Sequence, residues 1–175
     1  GVVYAIPLND GFAFSVACVG NEFTFFDHVA GDSSMPDSLL ELPVAFRILV
    51  GKGEPQEGEW IPLGNIELSE NMLCKSNFLH RPVGATDYFI YFDGKSTLAS
   101  ENEVKGLELF TVWYSEDIVR RLEEYFSGEN CSTTAAIKNN PGSNRAGGIS
   151  DKPALTTAST PPVAPATAEN APASK

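Results

Sequence analysis

Carboxylates are the residues of this chain best suited by type to do chemistry. Asp27 ends an aromatic run, EFTFFD, and Asp93 opens an Asp-Gly turn. Two strand-end carboxylates that face each other can work as an acid–base pair, although Asp at a strand end serves turn formation equally well. Glu108 alternates with Leu107 and Leu109, so it shares a face with Phe110 and Val112. If that face is buried, Glu108 needs a partner there, Arg47 or a backbone amine; the other reading makes it a site carboxylate. The two histidines, His28 after a strand and His80 in the segment HRPVGATD, read as exposed loop residues. A zinc site or an imidazole base would have to be built on one of them. G-x-S-x-G, P-loop and H-E-x-x-H patterns are absent. Gly51 and Gly53 begin a dinucleotide fingerprint, but its third glycine and the helix after it are missing. No catalytic residue, metal ligand or cofactor is assigned, and the chain reads as a non-enzyme.

The elements that must position these residues start with a meander. Val2 to Leu8, Phe12 to Val19 and Glu22 to Asp27 are three strand-like runs, parted by Asn9-Asp10-Gly11 and Gly20-Asn21. Turn residues between runs of this length signal consecutive hairpins. A capped helical turn after Ser34 is expected to end at Pro43. In Val44 to Val50 the positions Val44, Phe46, Ile48 and Val50 share the core face. Residues 51–59 are polar and turn-like, and Trp60 to Gly64 carries Pro62, which marks an edge or bulged strand. Phe78-Leu79, Asp87 to Phe92 and Leu107 to Trp113 complete the strands, with a capping box at Ser100 and Glu103. Ser115 is expected to cap a helix over 115–126, with Ile118, Val119, Leu122, Tyr125 and Phe126 on its apolar stripe and Arg120, Arg121, Glu123 and Glu124 on the wet side. The expected fold is α+β and mainly antiparallel. It is a strongly twisted sheet or small partly open barrel, with one C-terminal helix packed on it.

Composition divides the chain in two. Residues 1–127 form the expected β-rich domain. Residues 128–175, rich in Pro, Ala, Thr and Ser, lack hydrophobic period and aromatics and read as a disordered tail. The domain holds eight Lys and Arg against twenty Asp and Glu, a net charge of −12. That balance argues against a phosphate-binding nucleic-acid surface. It suits a basic protein partner, whose approach it would steer, and it also serves plain solubility. Cys18, Cys74 and Cys131 are an odd number, widely spaced with no C-x-x-C; Cys18 and Cys74 read as small buried apolar residues, and a reducing cytoplasm is the natural setting. No apolar run approaches the ~20 residues of a membrane span. The chain opens at Gly1 without Met, which leaves room for a few further residues or a processed leader.

Aromatic residues outnumber what a domain of this size can bury in one core, so the surplus on a second face is expected to form either a second small core under loops or a binding patch. Trp60 and Tyr91 are the candidate anchors, ringed by Asp27, Asp93, Glu101 and Glu103 from strand ends and loops.

The opening Gly1-Val-Val-Tyr-Ala-Ile-Pro-Leu, then Asp10-Gly11-Phe-Ala-Phe and Phe25-Phe26-Asp27, resembles the start of the immunity protein 26 family of bacterial polymorphic toxin systems. Val44-Ala-Phe46, Gly58-Glu-Trp60, Pro62-Leu-Gly64, the segment Tyr88 to Gly94, Gly106-Leu-Glu108, Val112-Trp113 and Val119-Arg-Arg-Leu122 follow in the same order. The resemblance covers residues 1–127. It implies a cytoplasmic protein that binds and neutralises a toxin encoded nearby, often a nuclease; the acidic charge and the lack of a long apolar run are what leave no nucleic-acid or membrane partner expected. Two alternatives stay open. One is a small-molecule-binding or enzymatic barrel with Glu108 inside; the other is a structural interaction module tethered by its tail.

Overall fold

Strands β1 (Val2–Leu8), β2 (Gly11–Ala17), β3 (Glu22–Ala30) and β4 (Val44–Val50) form an antiparallel meander in the computed structural model, which describes residues 1–128. The expected tail falls outside the described residues, apart from Gly128. β5 (Ile61–Asn65) returns to pair with the outer edge of β1, and β9 (Val112–Trp113) joins β4 in parallel, giving the order β5-β1-β2-β3-β4-β9. The sheet does not close, so of the two expected forms the open sheet is the one adopted. A separate antiparallel sheet holds β6 (Phe78–His80), β7 (Tyr88–Phe92) and β8 (Lys95–Ala99).

The first turn shows how local chemistry sets the register. Leu8 pairs with Gly11 across Asn9-Asp10. Gly11 has φ +146°, and a Cβ there would meet the Ala30 carbonyl at 2.4 Å, so only glycine fits. A register shift follows between Ala13 and Ser15.

Both faces of the large sheet are covered. On one, Ile6, Ala13, Phe25, Phe46 and Ile48 pack with Trp60 and with Ile118 and Leu122 of helix α4 (Ser115–Ser127). On the other, Val3, Ala5, Phe14, Val16 and Phe26 are covered by Leu39 from the 31–43 connection and by Met72. Met72 lies in α2 (Glu70–Leu73). Full burial of each Phe contributes about 1.5–3 kcal/mol, and Phe14, Phe25 and Phe26 are all fully buried.

Several expectations change here. Residues 54–57 form a one-turn helix, α1 (Glu54–Glu57), rather than a plain turn. The short turn before Pro43 is a 3-10 turn at Leu39–Glu41 after Ser38, while Ser34 instead closes an Asx turn on Asp32. β8 is a strand that its single large apolar residue did not announce. Leu107 to Trp113 is a strand only at its last two residues; its earlier part runs parallel to β6 at a single bridge between Leu79 and Leu109. The N-cap of α4 is Tyr114, and Ser115 is buried at the first helical position. Arg121, expected on the wet side of α4, is 7% exposed, and Val44 is exposed at the start of β4. Both histidines are half-buried and lie in strands: His28 beside Phe14, and His80 in β6.

Candidate protein-binding surface

Two ion pairs and one carboxylate–serine contact, all at least partly buried, fix the frame on which the surface rests. Glu22, at the start of β3, is 3% exposed. Its Oε2 lies 2.8 Å from Arg47 Nε, and both its oxygens accept from the Ser76 N–H. Arg47 also donates to the carbonyls of Asn71, Met72 and Cys74, so one guanidinium clamps the carbonyl end of α2 to the sheet. Glu54 is 5% exposed, and its Oε2 accepts from the Ser115 N–H at 2.7 Å and from the Ser115 hydroxyl. A carboxylate from α1 thereby caps the positive end of α4. Arg121 lies with its guanidinium carbon 4.0 Å from the Phe46 ring centroid and 4.9 Å from that of Trp113. It also donates to Glu108 Oε1 at 2.8 Å.

The partner expected for Glu108 is thus corrected. Arg47 is held by Glu22, and Glu108 pairs with Arg121. The reason is local: Glu108 lies in the irregular approach to β9, where its carbonyl accepts from the Leu79 N–H. Its side chain is 30% exposed, at the side of an unclosed sheet, so no barrel interior surrounds it.

The small sheet carries a cluster of aromatics in reach of solvent, apart from Tyr114 and Tyr125 at α4. Cross-strand pairing puts Phe78 with Tyr91 and Ser96, and His80 with Phe89 and Leu98, on a shared face. Phe110 stacks on Tyr91 at 3.6 Å between centroids and meets His80 edge-on at 5.6 Å. The His80 Nδ1 is 2.8 Å from the Ser96 hydroxyl. Phe78 is buried, whereas Tyr91, Phe89 and Phe110 are half-exposed. At the hairpin tip Asp93 is ion-paired with Lys75. That bond holds the Asp93 carboxyl below its ordinary value and the Lys75 ammonium above its own. A crevice of about 110 Å³ between Tyr91, Phe110, Ser76 and this pair leads toward Glu22.

The candidate residues do not form one ring. Tyr91 and Asp93 lie together at the hairpin tip. Glu101 and Glu103 lie at its other end, because Ala99 pairs with Tyr88 and α3 (Glu101–Val104) follows directly. Glu103 accepts from the Ser100 N–H at 2.8 Å and from its hydroxyl at 2.7 Å, and the backbone bond is the main reason its carboxyl sits below its ordinary 4.5. Asp27 is exposed on β3, five residues from the Glu22 end, beside Tyr125 of α4. Burial first, and then Asp27, push the Tyr125 phenol up. Trp60 is 4% exposed and packs on Tyr4, Phe23 and Phe25, so it is a core residue and not a surface anchor.

Sequence reasoning missed the acidic concavities beside α4. Glu57, Glu59, Glu116 and Asp117 line one, next to Tyr114, which is 59% exposed. Asp10, Glu123 and Glu124 line another, together with Arg120 and the apolar Leu8, Val29 and Phe126. The signal was available in the Glu-rich wet side of the helix, but the neighbours that complete each wall come from residues 10 and 57–59. Among the described residues no group of three or more His, Cys, Asp and Glu is arranged to hold a metal ion. No helix among them is long and apolar enough to cross a membrane. No family model, no curated protein and no solved structure matches the chain.

Proposed function

We propose that the chain is an immunity protein: a cytoplasmic antagonist that binds a basic bacterial toxin encoded nearby and occludes its working surface. The observation that carries this reading is how the charges are distributed. Residues 1–127 hold eight cations against twenty carboxylates. Arg47 and Arg121 are drawn inside and bound to Glu22 and Glu108, while Lys75 and Arg120 are ion-paired to Asp93 and Asp117. The outward surface is therefore still more one-sided than the composition, and its walls beside α4 are carboxylate-lined. Such a surface steers a basic partner at long range and rejects acidic ones. The half-exposed Tyr91, Phe89 and Phe110 add the apolar contact that an anchored interface requires. A nuclease, whose cleft is basic because it binds phosphates, is one class of toxin that fits.

The test is co-expression with the basic protein encoded beside this gene. The expected result is rescue of cell growth and a complex that weakens as salt rises. Absence of both rescue and co-purification would sink the proposal.

A further inference from the structure

The edges of the two sheets are not equally guarded. β5 carries Pro62 and faces a bulge at Val3 and Tyr4; β9 has two residues; β6 has three and is bridged by Leu109. β8 has five residues, without proline or bulge, in unbroken register with β7. Proline, bulges, shortness and lysine side chains are the usual means of closing an edge to further strands, and of these β8 has only Lys95, at its turn end.

The turn fixes which groups β8 shows. Asp93 and Gly94 have φ +44° and +81°, both left-handed, as a two-residue type I′ turn requires. Phe92 and Lys95, which flank it, then exchange hydrogen bonds, and the alternation continues through Ile90–Thr97 and Tyr88–Ala99. Ser96 and Leu98 direct their N–H and C=O groups away from β7, toward the open edge. The Leu98 side chain is 70% exposed and lies on the face shared with Phe89 and His80. Asp87 and Glu101, both exposed, stand at the far end of the same hairpin. An edge that offers two donors, two acceptors and one apolar side chain beside carboxylates has a definite complement.

We propose that β8 takes an extended segment of a basic protein partner by strand addition, with an apolar residue against Leu98 and a Lys or Arg near Glu101. This rests on the reading of the chain as a binder of a basic protein. The charge also argues for that partner over a second copy, since two domains of −12 each repel.

The probe is a labelled seven-residue peptide alternating lysine and valine, added to the full chain. Two comparison peptides accompany it: one with glutamate for lysine, one N-methylated at alternate amides. The expected result is binding of the first peptide only, with the Ser96 and Leu98 amide signals shifted in NMR. The N-methylated peptide keeps its charge and should lose about tenfold in affinity or more. Leu98→Pro should do the same, since it removes an outward N–H and no ladder bond. Equal binding of the N-methylated peptide, or unmoved Ser96 and Leu98 signals, overturns the proposal whether or not Leu98→Pro folds. Shifts at those amides with protein concentration alone also overturn it, in favour of a second copy. If the peptide fails while toxin rescue succeeds, the edge inference falls and the binding function stands. If the peptide binds while both rescue and co-purification fail, the edge inference stands and the toxin-neutralising function falls.

Discussion

In β3 the residues Phe23, Phe25 and Phe26 are buried, and so are Glu22 and Thr24 between and beside them. In β7 the residues Tyr88, Phe89, Ile90 and Tyr91 are all half-exposed, and Phe92 is 48% exposed. Both strands are dense in aromatics. They differ in their cover. β3 lies inside a sheet with α4 on one side and the 31–43 connection on the other. β7 lies in a sheet of three strands that borrows Phe110 for one face. Aromatic density therefore does not set burial; the number of elements available to cover a face does. The surplus that results is what the small sheet can offer a partner.

The contrast can be broken in order of size. Phe25→Ala removes a fully buried ring stacked 4.9 Å from Phe46 and should cost about 4 kcal/mol in urea denaturation. A loss as small as that of a hairpin residue would erase the distinction between the sheets. Arg47→Met strips the partner from buried Glu22 and should cost about 3 kcal/mol. The double variant with Glu22→Gln should recover part of it, because the stranded charge goes too. Tyr91→Ala is expected to cost only about 1 kcal/mol, the worth of its stacking on Phe110, while weakening the binding of the proposed basic partner. If stability falls as far as for Phe25→Ala, the small sheet is core and not surface.

The smallest effect is one of pH. Asp93 and Glu103 both titrate below their ordinary values of 3.8 and 4.5. A depressed carboxyl adds stability above its unfolded value and loses it as the pH falls through the folded one. Amide protection, measured against the intrinsic exchange rate at each pH, should therefore fall at the hairpin tip as the pH drops below 3.8, and in the first turn of α3 below 4.5. Added salt should weaken the exposed Asp93–Lys75 pair and leave the Ser100–Glu103 capping box in place. A uniform loosening across β1–β4 over the same range would count against the division.

The meander was legible because its signals are local. Asp10-Gly11 and Gly20-Asn21 sit where the chain turns, and the α4 stripe repeats within thirteen residues. What was not legible depends on distant partners. Glu22 meets Ser76 across 54 positions, and Glu54 meets Ser115 across 61, so neither burial leaves a trace in its own window. Arg121 reads as wet by its charge, yet Phe46 and Trp113 give it a face to lie on. KSTLA is a strand because Asp93-Gly94 folds it back on β7, not because of its own pattern. The expected binding ring of Asp27, Asp93, Glu101 and Glu103 failed as a ring for the same reason: residue type does not say which end of which strand they share.

The capping of α4 by Glu54 has a consequence for synthesis. A chain made from its N-terminus presents Phe46, Ile48 and Trp60 long before Ile118 and Leu122 exist to cover them. The opposite face closes earlier, since Leu39 and Met72 precede the helix by dozens of residues. A chain made as far as Met72 thus has the residues that cover one face and lacks those that cover the other, and Glu54 has no helix to cap. That half-finished sheet is the form that chaperones would meet.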